Sequence, residues 1–143
     1  MRKCLCIDQM KTKLYRHPNI EIRKSHIHGY GVFATDDIRE NTVLEEVPFI
    51  SISQGVAHDY AFLFPRGGTP IEETVGVKNE IVLVFGYASL YNHNDFPNAS
   101  WKTDVSDRLF VFFTKTHIKK DEEITVYYGP ESYWAEHPHV NKQ

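Results

Sequence analysis

No stretch of this chain carries the i, i+3, i+4 apolar spacing of a long amphipathic helix, and that constrains the fold more than any single motif. The apolar residues come instead in short β-branched or aromatic runs separated by turn formers. Ile20-Glu21-Ile22-Arg23 alternates as a half-buried strand does, and Val32-Phe33-Ala34 follows a Gly-Tyr-Gly turn. Thr42-Val43-Leu44 and residues 47–52 read as two more short strands, with Pro48 favouring an edge or bend between them. Residues 80–85, β-branched and apolar, predict a buried strand; residues 108–114, nearly continuously hydrophobic, predict another, and residues 123–128 a third. Residues 56–64 place Tyr60, Phe62 and Phe64 at period two but also fit a helical turn, and both readings stand. Pro65-Arg66-Gly67-Gly68-Thr69-Pro70 is a loop or hairpin tip. The expected fold class is mainly β, one domain of many short strands joined by turns.

With 143 residues the chain has material for a single modest core. Residues 1–18 mix Lys, Arg, Cys, Met and Tyr without period and read as an N-terminal arm or short edge element. The domain proper is expected over residues 19–143. A net charge of −3 argues against bulk binding to a phosphate backbone, so no direct nucleic-acid partner is expected. Cys4 and Cys6 are too close together for an unstrained disulfide, and two thiolates do not complete a zinc site. An apolar run as long as any in the chain, Ile81-Val82-Leu83-Val84-Phe85, is far too short to span a bilayer. The N-terminus also lacks the pattern of a secretory signal, so an intracellular, soluble protein is expected.

Three segments ask for more than a structural explanation. In Ser25-His26-Ile27-His28-Gly29-Tyr30-Gly31-Val32-Phe33, two glycines flank an aromatic residue, which permits positive φ and close approach of a ligand or another backbone. Taken alone, it is a turn. Tyr91-Asn92-His93-Asn94-Asp95-Phe96-Pro97-Asn98 packs polar side chains beside an apolar stretch, where their hydrogen bonds must be met by backbone or ligand. A metal site fits it poorly, because His93 has no second ligand at a recognised spacing. Asp121-Glu122-Glu123-Ile124-Thr125-Val126-Tyr127-Tyr128-Gly129 ends in a phenol that needs a hydroxyl partner if buried. Its neighbouring carboxylates are expected to point apart and be solvated.

In order and combination, Gly-x-Gly-x-Phe, then Asn-His-x-x-x-Pro-Asn, then Glu-Glu-Ile-Thr-x-x-Tyr-Gly resembles the SET-domain signature of protein-lysine methyltransferases. The likeness runs over residues 20–134. The ending Tyr128-Gly129-Pro130-Glu131-Ser132-Tyr133-Trp134 looks most like the minimal viral and bacterial members, among them a chlorella-virus histone methyltransferase. The resemblance implies a β-clip-like fold of several small sheets with short helices and a C-terminal pseudoknot. It implies S-adenosylmethionine as methyl donor, S-adenosylhomocysteine as product and a lysine-bearing protein, foremost a histone tail, as substrate. A non-histone substrate and a catalytically silent peptide-binding module are the alternatives. For a viral or pathogen source the resemblance places the protein in the host nucleus, otherwise in the cytoplasm, and it suggests a homodimer.

Carried over residue by residue, the resemblance puts His28, Gly29, Tyr30, Gly31, Tyr91, Asn92, His93, Tyr128 and Trp134 at the cofactor. Tyr128 and Tyr30 become the catalytic candidates, and Tyr60, Phe62, Val126 and Tyr133 line the substrate channel. Two departures matter. The family's frequent Asn-His-Ser-Cys is Asn92-His93-Asn94-Asp95 here, and no cysteine cluster follows Tyr128, so no zinc is expected. Val126 stands two before the tyrosine, where Phe or Tyr is frequent and is linked to the number of methyl groups added.

Overall fold

Strand-forming segments this short cannot each bury a wide face, so the described residues build three small sheets rather than one large one. A computed structural model describes residues 11–52, 61–65 and 79–129. Its strands are β1 (Ile20–Lys24), β2 (Tyr30–Ala34), β3 (Val43–Val47), β4 (Phe49–Ser51), β5 (Ala61–Pro65), β6 (Asn79–Val84), β7 (Asn92–His93), β8 (Ala99–Asp104), β9 (Leu109–Thr114) and β10 (Glu123–Val126). The sheet orders are β1-β2-β10-β7, β3-β9-β8 and β4-β6-β5. The mainly β architecture expected from the sequence is the one observed.

The first sheet positions the site. β10 pairs antiparallel with β2, matching Ile124 to Val32, and parallel with the two-residue β7, matching Thr125 to Asn92 and Val126 to His93. β10 is therefore built into the middle of its sheet, where it joins the Gly-Tyr-Gly segment to the Asn-His segment. Its side chains Ile124 and Val126 are buried in the core with Val32, Ala34, Tyr91, Phe110 and Phe112. Burying each such side chain contributes about 1.5–3 kcal/mol.

Two corners of the chain are built alike. Ile38 and Ile118 exchange backbone hydrogen bonds, both at 2.8 Å. Asn41 donates its N–H to the Thr114 carbonyl, and Asp121 donates to the Ala34 carbonyl. Asn41 and Asp121 both hold positive φ, at 55° and 69°, a conformation their short polar side chains tolerate. This pairing of corners fixes where β10 enters its sheet.

Several local expectations shift. Pro48 does mark a bend, since the chain leaves β3 for a different sheet there, and its carbonyl accepts the Phe85 N–H at 2.9 Å. Residues 61–65 form a strand rather than a helical turn, while residues 56–60, Tyr60 among them, lie outside the described residues. β8 was hidden because Ser, Lys, Thr and Asp dilute its apolar signal. It is held by full pairing with β9 along its length. Of the short helices expected, the described residues hold one 3₁₀ turn, Ala88–Leu90. The arm contributes an edge: the Tyr15 carbonyl accepts from Glu46 N–H, and His17 N–H donates to the Leu44 carbonyl, flanking β3.

Candidate active site

The turn before β2 is closed from within. Ser25 N–H donates to the Gly29 carbonyl at 2.8 Å, and Ser25 Oγ accepts from the Ile27 N–H at 2.9 Å. Gly29 holds φ +48°, and a Cβ added there would meet nothing within 4 Å, so open space lies against this peptide. Tyr30 follows with 65% of its surface exposed. Gly31 is the opposite case. A Cβ there would fall 2.1 Å from Glu123 Oε1 and 3.0 Å from Asn92 Nδ2, so Gly31 is required by what packs against it from inside.

Glu123 corrects the expectation that this acidic pair is solvated. Its carboxylate accepts from Ser25 Oγ at 2.8 and 2.9 Å and from Asn92 Nδ2 at 2.7 Å. Asn92 Nδ2 also reaches the carbonyls of His28 at 3.1 Å and Tyr30 at 3.3 Å. One amide thereby ties β7, β10 and the glycine turn together. Glu122 caps the preceding turn, accepting the Lys119 N–H at 2.9 Å.

His93 is buried, and both ring nitrogens are engaged. Nδ1 accepts the Tyr128 N–H at 3.0 Å, which leaves Nε2 to carry the proton toward Asp95 Oδ1 at 2.8 Å. Asp95, standing where the family often has cysteine, thus orients the imidazole. Asn98 receives the Thr125 N–H on Oδ1 at 2.8 Å and donates to the Glu123 carbonyl at 2.9 Å, bracing β10 from its other side.

Tyr128, just past β10, donates its hydroxyl proton to the Tyr91 carbonyl at 2.6 Å. The side chain of Tyr91 points away into the core, stacks on Phe112 with ring centroids 4.8 Å apart, and donates to Glu45 Oε1 at 2.9 Å. Glu45 is fully buried, and burial pushes its carboxyl above the usual range, opposed by Tyr91, the Tyr87 N–H and Arg16. Burial likewise drives the Tyr91 phenol well above its ordinary value.

Among the sequence-predicted residues, His28, Gly29, Tyr30, Gly31, Asn92, His93 and Tyr128 converge on one region through these bonds. Tyr91 joins it by its carbonyl, not its ring. Val126 is buried in the core, and Phe62 packs edge-on to Trp101 and Phe110 at 5.3 and 5.5 Å in the aromatic core. Tyr60, Tyr133 and Trp134 lie outside the described residues. Sequence reasoning missed Glu45, Ser25 and Asn98 as members of the network. The signal for Glu45 was on view: an acidic residue inside the apolar strand Val-Leu-Glu-Glu-Val is costly unless it is partnered.

Comparison with known proteins places this fold in a family. The SET domain profile matches residues 29–129. Over 136 residues the chain is 28% identical to the histone-lysine N-methyltransferase, H3 lysine-37 specific, of Schizosaccharomyces pombe, covering 89% of this chain and 83% of that protein. It is 28% identical to the H3 lysine-36 specific enzyme of Candida albicans, covering 94% of this chain but 17% of that much longer protein. A crystal structure described as a histone methyltransferase candidate of Plasmodium falciparum superposes with a TM-score of 0.58 at 30% identity, covering 79% of this chain and 95% of its own. On the profile match and the shared architecture, the chain belongs to the SET-domain family.

Proposed function

We propose that this chain is a protein-lysine methyltransferase that uses S-adenosylmethionine, with a histone tail as the leading substrate. The observation that carries the assignment of roles is the Tyr128 hydroxyl, which donates to the Tyr91 carbonyl, one residue before the Asn92 side chain that reaches the His28 carbonyl of the glycine turn. The relatives named for histone-lysine methylation support the substrate class.

The glycine turn fits such a cofactor. Its backbone borders open space at Gly29, and Asn92 commits its amide hydrogens to the chain, so that among the described residues its Oδ1 has no paired donor. The backbone of His28, Gly29, Tyr30, Gly31, Tyr91 and His93, together with Asn92 Oδ1, would hold it, with Trp134 as a cover over the adenine. When bound, it supplies an electrophilic methyl group on a sulfonium sulfur.

The protein's own task is positioning. A lysine amine has an unperturbed pKa of about 10.4 and must lose its proton before it can act as a nucleophile. A dry channel lined by rings such as Tyr30 and Tyr133 lowers that value by disfavouring the charged form. Tyr128 gives its own proton to a fixed carbonyl, which sets the direction of the hydroxyl, and a phenol oxygen so directed can accept an N–H of the amine and aim the nitrogen lone pair. Aligning nitrogen with the methyl group then supplies most of the acceleration, since well-oriented reactants gain about 7–11 kcal/mol at best. Tyr128 acts here as an orienting and electrostatic group rather than as a base.

Calorimetric titration with S-adenosylmethionine is expected to give saturable heat, and mass spectrometry of a lysine-peptide library to give products heavier by methyl units. Saturable binding with no product on any peptide would count against the methyltransferase, and peptide affinity without cofactor affinity would favour the silent peptide-binding module. Products confined to non-histone peptides would move the substrate away from histones.

A further inference from the structure

Tyr91 and Asn92 are consecutive, and their side chains run to two different carboxylates. Asn92 Nδ2 reaches Glu123 at 2.7 Å, and Tyr91 Oη reaches Glu45 at 2.9 Å. Between these anchors lies the Tyr91 carbonyl that takes the Tyr128 hydroxyl at 2.6 Å. Glu45 also accepts the Tyr87 N–H at 3.1 Å, so one carboxylate holds both ends of the segment that delivers Asn92 and His93.

Burying a carboxylate is a costly way to fill a core, and an apolar residue of similar size is often as stable or more so. Arg16 offsets part of that cost as an ion pair, its Nε 3.6 Å from Glu45 Oε2, a separation too long for a good hydrogen bond. The Arg16 guanidinium also lies over the Tyr87 ring at 4.0 Å, pressing the segment from outside. A β-bulge gives the strand its aim. The register of β3 against β9 slips between Val43 and Glu45, so Leu44 and Glu45 are both buried although they are adjacent. Gly86 completes the fit, holding φ +66°, where a Cβ would fall 2.8 Å from Glu45 Oε2.

We propose that Glu45 is a positioning residue for methyl transfer, fixing the Tyr91 carbonyl and through it the direction of the Tyr128 hydroxyl. This rests on the reading of Tyr128 as the group that orients the substrate amine. Glu45 touches neither substrate nor cofactor. Its influence passes through the Tyr91 hydroxyl, the rigid ring stacked on Phe112, and the peptide beyond it.

The test uses the full chain with tyrosine labelled at the ring ζ carbon, S-adenosylmethionine and a histone H3 tail peptide. Tyr91→Phe removes only the link, keeping the ring, its stacking and the carbonyl. It is expected to move the Tyr128 ζ-carbon resonance and to lower kcat about tenfold, with the KM for S-adenosylmethionine changed by less than about twofold. Glu45→Leu is expected to do the same or worse, and Glu45→Gln, which keeps an acceptor, to recover most of the loss. In a Tyr128→Phe background, Tyr91→Phe should have no further effect on kcat, because both act through one hydroxyl. An unmoved Tyr128 resonance in folded Tyr91→Phe, or effects that multiply in the double variant, overturns the link. Wild-type transfer by Tyr128→Phe overturns instead the role of Tyr128, while the resonance still tests the link on its own.

Discussion

Glu45 and Glu123 hold neighbouring residues of one short strand, the first through Tyr91 and the second through Asn92. Each carboxylate also leans on a glycine, Glu45 on Gly86 and Glu123 on Gly31. They differ in solvent. Glu45 is sealed in the core among phenols and a backbone N–H, whereas Glu123 is half-buried at the site face between Ser25 and the Asn92 amide. The buried member makes the strand rigid, and the half-buried member ties that rigid strand to the glycine turn where a ligand would arrive. Glu45 thus reaches the site from within the core, and Glu123 holds it at the face itself.

The largest expected difference is in stability. Glu45→Leu leaves the Tyr91 hydroxyl and the Tyr87 N–H buried without acceptors, at a cost of about 1–3 kcal/mol each. Glu123→Leu leaves Ser25 partly exposed and Asn92 with the His28 and Tyr30 carbonyls as acceptors, and should cost roughly 1 kcal/mol. Urea denaturation measures both, and equal losses would erase the distinction.

The two glycines sharpen it further. Gly86→Ala meets Val47 Cγ1 at 2.3 Å and holds positive φ, so a loss of about 2 kcal/mol is expected. Gly31→Ala meets the end of the Glu123 side chain, which can shift, so its stability loss should be nearer ~1 kcal/mol. Its main effect is expected on S-adenosylmethionine affinity, read by calorimetry, as Glu123 is pushed off Ser25 and Asn92. A Gly31→Ala protein with unaltered affinity would show that Glu123 does not shape the ligand face.

A smaller effect concerns pH. Burial raises the Glu45 pKa in the folded protein above its unfolded value, near 4.5. Protonated Glu45 therefore favours the folded state, a contribution fully present below the unfolded pKa and lost as pH rises through the raised folded one. Set against Glu45→Gln, wild-type stability should decline across that window, as followed by thermal melts between mildly acidic and neutral pH. A constant difference between the two proteins would mean that Glu45 titrates normally.

The sequence revealed the strands with clean apolar runs and the three motifs of the site, because alternation and clustered polar residues are local signals. It did not reveal β8, whose side chains are mixed and whose stability comes from pairing with β9. Nor could local pattern place β10 between β2 and β7, since that order depends on the matched corners at Ile38 and Ile118. The site residues were legible as types but not as atoms. Tyr91 was expected at the cofactor, and its ring turned out to face Glu45, leaving only its carbonyl at the site. Glu123 was expected in solvent because adjacent carboxylates usually are, yet Gly31 leaves the space that draws it inward.

The central claim is methyl transfer to lysine with Tyr128 aiming the amine, and one assay meets it directly. Wild-type protein and Tyr128→Phe are each given S-adenosylmethionine carrying a labelled methyl group and histone H3 tail peptides, with folding checked by circular dichroism. Label is expected on a lysine with the wild type, and a rate about 10²–10³-fold lower with Tyr128→Phe at unchanged fold. Equal rates for the two proteins, or no label on any lysine from the wild type, would contradict the account.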